Sequence, residues 1–182
     1  LNKIADPDWT VAGVGDLNSD GTDDIVLRNA STGLNWAYLI QNGAIVQSKQ
    51  INQVSGSQWV VEAVNDFNGD AIADLLWRNT STGDTYLYTM SGTNISKVGL
   101  VGRVPAQWHI ESTGDRNMDG KSDILWRNTD SGVLWSYLMN GSAISDSGPV
   151  GLSVGNTWSL VATLMTQDMT IQPIDLEITP PG

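Results

Sequence analysis

The sequence predicts an all-β fold, a β-propeller of about 50-residue, four-stranded antiparallel blades, on three observations. Residues 15–29 (GDLNSDGTDDIVLRN) return as residues 65–79 (NDFNGDAIADLLWRN) and as residues 114–128 (GDRNMDGKSDILWRN), so that Asp16, Asp66 and Asp115 lie 50 and 49 residues apart. Runs rich in Val, Ile, Leu, Trp and Tyr alternate with Gly, Asn and Ser turns throughout each period, the pattern of short strands. No stretch of useful length has the 3.6-residue periodicity of an amphipathic helix.

The elements follow in order. Residues 1–7 look like the last strand of a preceding unit, because INQVSGSQ and LVGRVPAQ stand at the same place before the later copies. A tryptophan opens each unit (Trp9, Trp59, Trp108, and again Trp158), and strand one runs over 9–15, 59–65 and 108–114. Its small residues Gly13, Ala63 and Ser112 suit a crowded place where strands converge. Strand two covers 25–28, 75–78 and 124–127. Strand three, over 35–40, 85–90 and 134–139, sets Trp36/Tyr38, Tyr86/Tyr88 and Trp135/Tyr137 on one face by its period of two. A Gly turn then leads to an irregular fourth strand. The blades therefore span about 8–56, 57–105 and 106–155 of a single domain over 1–182. An incomplete fourth blade, 156–179, is completed by 1–7 if the ring closes within one chain; the alternative is a ring shared by a homodimer.

The repeated loop carries the chemistry. Each copy reads D-x-N-x-D-x-x-x-D and feeds a strand. Carboxylate or amide oxygens at positions 1, 3, 5 and 9, with the position 7 carbonyl, make a cage for a hard cation, and calcium takes six to eight such oxygens. Gly21 and Gly120 allow a sharp turn after the third ligand; Ala71 stands there in copy two, which makes that site the weakest of the three. An EF-hand-type loop would need an acid at position 12 and flanking helices. Here position 12 is Leu27, Trp77 and Trp126, inside strand-forming runs.

These loops and their period resemble the FG-GAP/VCBS repeat family, found in bacterial secreted proteins, integrin α-subunit propellers and some fungal lectins. The resemblance covers about 150 of the 182 residues. It implies a propeller with up to three Ca²⁺ ions, one in the first hairpin of each full blade. The ligands would be Asp16, Asn18, Asp20, Thr22 (carbonyl) and Asp24; Asp66, Asn68, Asp70, Ile72 (carbonyl) and Asp74; and Asp115, Asn117, Asp119, Lys121 (carbonyl) and Asp123. Copy two departs from the family pattern at its glycine, and copy four lacks the loop.

Composition bounds the function. A net charge of −11 and a pI near 4.1 argue against nucleic acid and anionic membrane surfaces as partners. Three bound Ca²⁺ would take −11 to about −5. The absence of cysteine removes disulfides, thiolate metal sites and cysteine nucleophiles, and no run is long enough to span a membrane as a helix. The start at Leu1 rather than Met reads as a processed or excised fragment, and the resemblance implies a secreted, bacterial parent. Eight Trp against one Phe point to a surface that binds or to blades that pack. Trp36, Tyr86 and Trp135 on strand three, with Trp77 and Trp126 on strand two, are the ligand-binding candidates, and packing between blades is the alternative for each. Trp9, Trp59, Trp108 and Trp158 read as core. Arg28, Arg78 and Arg127 close strand two in every full blade and read as partners of turn carbonyls or neighbouring acids. The expected function is non-catalytic: a calcium-bound module recognising carbohydrate, or alternatively an extracellular protein-adhesion or spacer module. A polysaccharide-active enzyme built on Glu62 and Glu111 is the remote alternative, since the single histidine, His109, does not recur.

Overall fold

A computed structural model describes residues 6–153, and within them the chain forms strands and no helix. Twelve strands make three antiparallel four-stranded sheets, each in sequence order. Blade 1 contains β1 (Trp9–Gly15), β2 (Asp24–Asn29), β3 (Leu34–Gln41) and β4 (Ala44–Gln53). Blade 2 contains β5 (Trp59–Asn65), β6 (Asp74–Asn79), β7 (Asp84–Ser91) and β8 (Asn94–Arg103). Blade 3 contains β9 (Trp108–Gly114), β10 (Asp123–Asn128), β11 (Val133–Asn140) and β12 (Ala143–Ser153). The blade pattern read from the sequence is the one observed. The expected fourth blade, 156–179 with 1–7, and Trp158 lie almost wholly outside the described residues.

Strand one stands beside strand one of the next blade, β1 against β5 and β5 against β9. Each skips one residue in its ladder with strand two, at Ala12, Glu62 and Glu111, a β-bulge that bends the strand. The expected crowding is real at Gly13, where an added Cβ would run into the side chain of Val64 on the neighbouring blade. Val11 and Val14, whose equivalents Val61 and Val64 pack into seam one, are 61% and 52% exposed on blade 1.

The core lies in the seams rather than within any blade. Seam one joins Leu17, Val26, Ala37 and Leu39 of blade 1 to Val64, Ala73, Leu75, Trp77 and Met90 of blade 2. Seam two joins Phe67, Leu76, Leu87, Val101 and Val104 of blade 2 to Ile124, Trp126 and Met139 of blade 3. An isolated small sheet cannot bury either face, so stacking supplies the hydrophobic term.

Each seam is crossed by a buried cation. The Arg28 guanidinium lies 4.9 Å from the ring centroid of Trp77, and that of Arg78 lies 4.8 Å from that of Trp126. The faces are the right place for a guanidinium because the ring quadrupole is negative there. Remaining N–H groups go to backbone: Arg28 donates to the carbonyls of Gly33, Val54 and Gly56, and Arg78 to those of Val104, Pro105 and Trp108. Arg127 lies 3.6 Å from Glu111. The turn-carbonyl and acid contacts expected for these arginines are observed.

Trp77 and Trp126 are 0% and 1% exposed. Their selection as exposed ligand-binding side chains is corrected: alternation along strand two points them into the seam, under the arginine of the preceding blade. Conversely Trp9, Trp59 and Trp108, expected in the core, are only half-buried. Trp9 meets Trp36 edge-on at 6.5 Å, and Trp59 meets Tyr86 at 5.8 Å. Trp77→Ala should lower the free energy of unfolding by about 3–5 kcal/mol, while Trp36→Ala should cost clearly less; chemical denaturation of the two variants checks the order.

Candidate functional site

The three loops fold alike because each needs two left-handed residues. At position 4 these are Ser19, Gly69 and Met118 (φ 60°, 82° and 61°), and at position 6 Gly21, Ala71 and Gly120 (φ 81°, 63° and 82°). Copy two has therefore moved its glycine from position 6 to position 4, and Ala71 takes the left-handed turn for which the other two loops use glycine. The penalty for a Cβ in that region is local.

Within each loop the first acid gathers backbone N–H groups. Asp16 Oδ1 accepts from Asn18 and Asp20, and Oδ2 from Gly21 at 2.7 Å. Asp66 takes the N–H groups of Asn68, Gly69 and Ala71, and Asp115 those of Asp119 and Gly120. The asparagine amide at position 3 donates to the acid at position 5 in every copy, pairing Asn18 with Asp20, Asn68 with Asp70 and Asn117 with Asp119. That acid in turn accepts the N–H of position 7, so Thr22, Ile72 and Lys121 are bound through their nitrogens with their carbonyls left for another use. In the third loop the Lys121 ammonium also lies 3.6 Å from Asp119.

The ninth-position acid has a second role that the motif did not reveal. Asp24, Asp74 and Asp123 are all 0% exposed. One carboxylate oxygen accepts the N–H of loop position 2 (Leu17, Phe67, Arg116), and the other accepts an N–H near the end of strand three (Ile40, Met90, Met139). The carboxylate is a clasp between loop and sheet. Burial pushes the Asp74 carboxyl up to about 7 against the pull of its two backbone donors, and the charges of Asp70 and Asp66 push the same way.

Loops are also chained to each other: Ala73 N–H donates to the backbone carbonyl of Asp16, and Ser122 N–H to that of Asp66, both at 2.7 Å. Nothing in the repeat pattern signals this link, since it uses main-chain atoms only.

Oxygen donors alone line these loops, which suits a hard cation. As the loops stand, their carboxylates are spread over backbone donors, and among the described residues no three acids or histidines converge into a metal-holding group. A carboxylate oxygen has more than one lone pair, so an N–H bond to it leaves capacity for a cation.

The strand-three candidates are half-buried and sit in different settings. Trp36 donates its indole N–H to Ser48 at 2.8 Å, and Tyr86 packs against Trp59 in seam one. Trp135 lines a groove of about 260 Å³ with Arg103, Val104, Pro105, Trp108, Trp126 and Tyr137. The blade-linking residues Arg103–Pro105 were not recognisable from the repeat, because they matter only where seam two places them. The Trp126 indole N–H is buried without an acceptor among the described residues, as is that of Trp77 in seam one. Glu62 and Glu111 occupy the bulges: Glu111 lies 2.8 Å from His109 and 3.6 Å from Arg127. Desolvation raises Glu62, opposed by Arg78 and His109, although the residue as a whole stays exposed.

The match with known families falls on these loops. Residues 16–77, from the first acid of loop one to the buried Trp of blade 2, match the family model of the FG-GAP-like repeat. This segment is an FG-GAP-like repeat. The third loop and blade 3 repeat the acids, bulge and clasp of the matched segment. No curated protein matches the chain. Ala71→Gly should raise stability by about 1 kcal/mol, with Gly21→Ala lowering it by a similar amount; thermal melts of both variants check the sign.

Proposed function

We propose that this chain is a non-catalytic, calcium-binding propeller module of a secreted protein, with carbohydrate as its ligand. The observation that carries the carbohydrate reading is the aromatic groove of seam two. Trp108, Trp135 and Tyr137 offer flat apolar faces, and Arg103, held by Asp84 at 2.7 Å, stands beside them as a donor. Sugar rings present C–H faces that pack on such rings and hydroxyls that accept from a guanidinium.

Calcium would be held by Asp16, Asn18, Asp20, the Thr22 carbonyl and Asp24, and by the corresponding residues of the second and third loops. When bound it supplies positive charge to loops that each concentrate at least two acids beside a buried one, and it acts as a staple. Each loop begins at the end of strand one and leads into strand two, and the loops are chained through Asp16 and Asp66, so stiffening them stiffens the seams. Cation binding to the folded state alone stabilises it by mass action, about 2.7 kcal/mol for a site at a hundredfold excess over its dissociation constant. A fourth blade from 156–179 with 1–7, closing the ring within one chain, remains part of this proposal.

A protein-adhesion surface is the second reading. It is favoured by exposed apolar side chains on the outer strands, Ile45 and Val46 on β4 and Val98 and Leu100 on β8.

Chelation by EDTA should lower the melting temperature by several degrees and millimolar calcium should restore it. Asp16→Ala, Asp66→Ala and Asp115→Ala should each remove part of that calcium-dependent gain; an EDTA-insensitive melt refutes the staple. On a glycan array the calcium-loaded protein should bind, and Trp135→Ala should lose about tenfold or more in affinity. Absence of any glycan signal, with capture of an extracellular protein that is lost when Val98 and Leu100 become Ser, would favour adhesion.

A further inference from the structure

The place where the repeat breaks its own pattern is the polar end of seam two. In seam one, Lys49 of β4 reaches across to blade 2 and donates to Asn94 Oδ1 at 2.7 Å. Lys49 stands opposite Ala37 on β3, and the position equivalent to it on β8 is Gly99, opposite Leu87. The position equivalent to Asn94 at the start of the next fourth strand is Ala143. Neither residue of that exposed bridge recurs in seam two, where Ser142 of blade 3 instead packs so closely on Gly99 that a Cβ there would run into it. Beside that contact lies a pocket of about 270 Å³.

Two further departures change what lines it. Leu39 of blade 1 is replaced by Thr89, which brings a hydroxyl, and Gln47 is replaced by Lys97, which brings a cation. Asn68, Asn140 and Ser142 complete the polar wall. Among the described residues, the Lys97 ammonium and the Ser142 hydroxyl make no hydrogen bond or ion pair. The pocket mouth is pinned by the Gly141 N–H donating to the Phe67 carbonyl at 2.8 Å.

We propose that this pocket is a binding site for a small hydroxylated carboxylate, in chemical class an acidic sugar residue, with Lys97 taking the carboxylate and Asn140 and Ser142 the hydroxyls. The volume sits just below the roughly 300–1,000 Å³ of small-molecule sites, which suits a single ring. A neutral apolar ligand would leave the amides and hydroxyls unpaired, at a cost that selects against it. The site stands on this pocket alone and shares no residue with the aromatic groove, so either can fail without the other.

The test is a titration followed by amide chemical shifts, with galacturonate, its trimer and galactose as probes. Galacturonate should give saturable shifts at Lys97, Gly99 and Gly141, and galactose should bind about tenfold or more weaker. Lys97→Gln, the residue of blade 1, should erase that preference. Ser142→Ala removes one of the lining hydroxyls and should weaken binding, while Trp135→Ala should leave it unchanged. Tighter binding of the trimer would mark a polysaccharide end as the source, and equal binding a free acid; both support the site. Absence of saturable shifts, an equal response to galactose, or unchanged affinity in both Lys97→Gln and Ser142→Ala overturns it.

Discussion

A carboxylate with no exposed surface at the start of every second strand is the constraint on which the rest depends. Asp24, Asp74 and Asp123 each bind one N–H of their own loop and one near the end of strand three. The two oxygens of one group thus join parts of the chain that are 23 residues apart in blades 1 and 2, Leu17 to Ile40 and Phe67 to Met90. A buried carboxylate is costly unless it is well paired. Here the pairing doubles as the geometry that fixes where the loop sits on the sheet. The acids at positions 1 and 5 and the asparagine at position 3 are carried along with it, and a loop so fixed is a fixed array of oxygens.

The seams follow from the same economy. Four short strands offer two faces and no interior, so every blade must borrow a partner to bury either side. Leu, Val and Met fill these seams, but each also contains an arginine, which costs far more to bury than a leucine. The arginine is tolerated because its charge lies over an indole face and its N–H groups satisfy carbonyls of the turns linking one blade to the next. Those carbonyls belong to irregular backbone with no strand partner, so the guanidinium serves them and ties successive blades together.

Repetition and departure from it carry different information. What recurs in every blade, such as the bulge, the clasp and the Asn-anchored turn at Asn29, Asn79 and Asn128, is what the fold requires. What differs between equivalent places is free to serve a ligand. Lys49 and Gly99 occupy the same position in adjacent blades, yet one bridges to Asn94 and the other lets Ser142 of the next blade pack on bare backbone beside a pocket. The aromatic groove is likewise a property of seam two as a whole, assembled from β8, β9, β10 and β11.

The sequence alone determined the period, the four strands of each blade, the oxygen-bearing residues of the loops and the role of the arginines. Each is encoded locally, in spacing of two along a strand or in turn residues repeated at a fixed interval. It did not separate the tryptophans correctly. Trp77 and Trp126 are buried and Trp9, Trp59 and Trp108 only half so, because strand alternation defines two faces without saying which one the neighbouring blade covers. Copy two looked defective at Ala71, whereas the backbone places Gly69 and Ala71 in the same left-handed pair as the other loops. Only the tertiary structure decided these points, and with them the two pockets of seam two, since both depend on side chains from separate blades brought together across a seam.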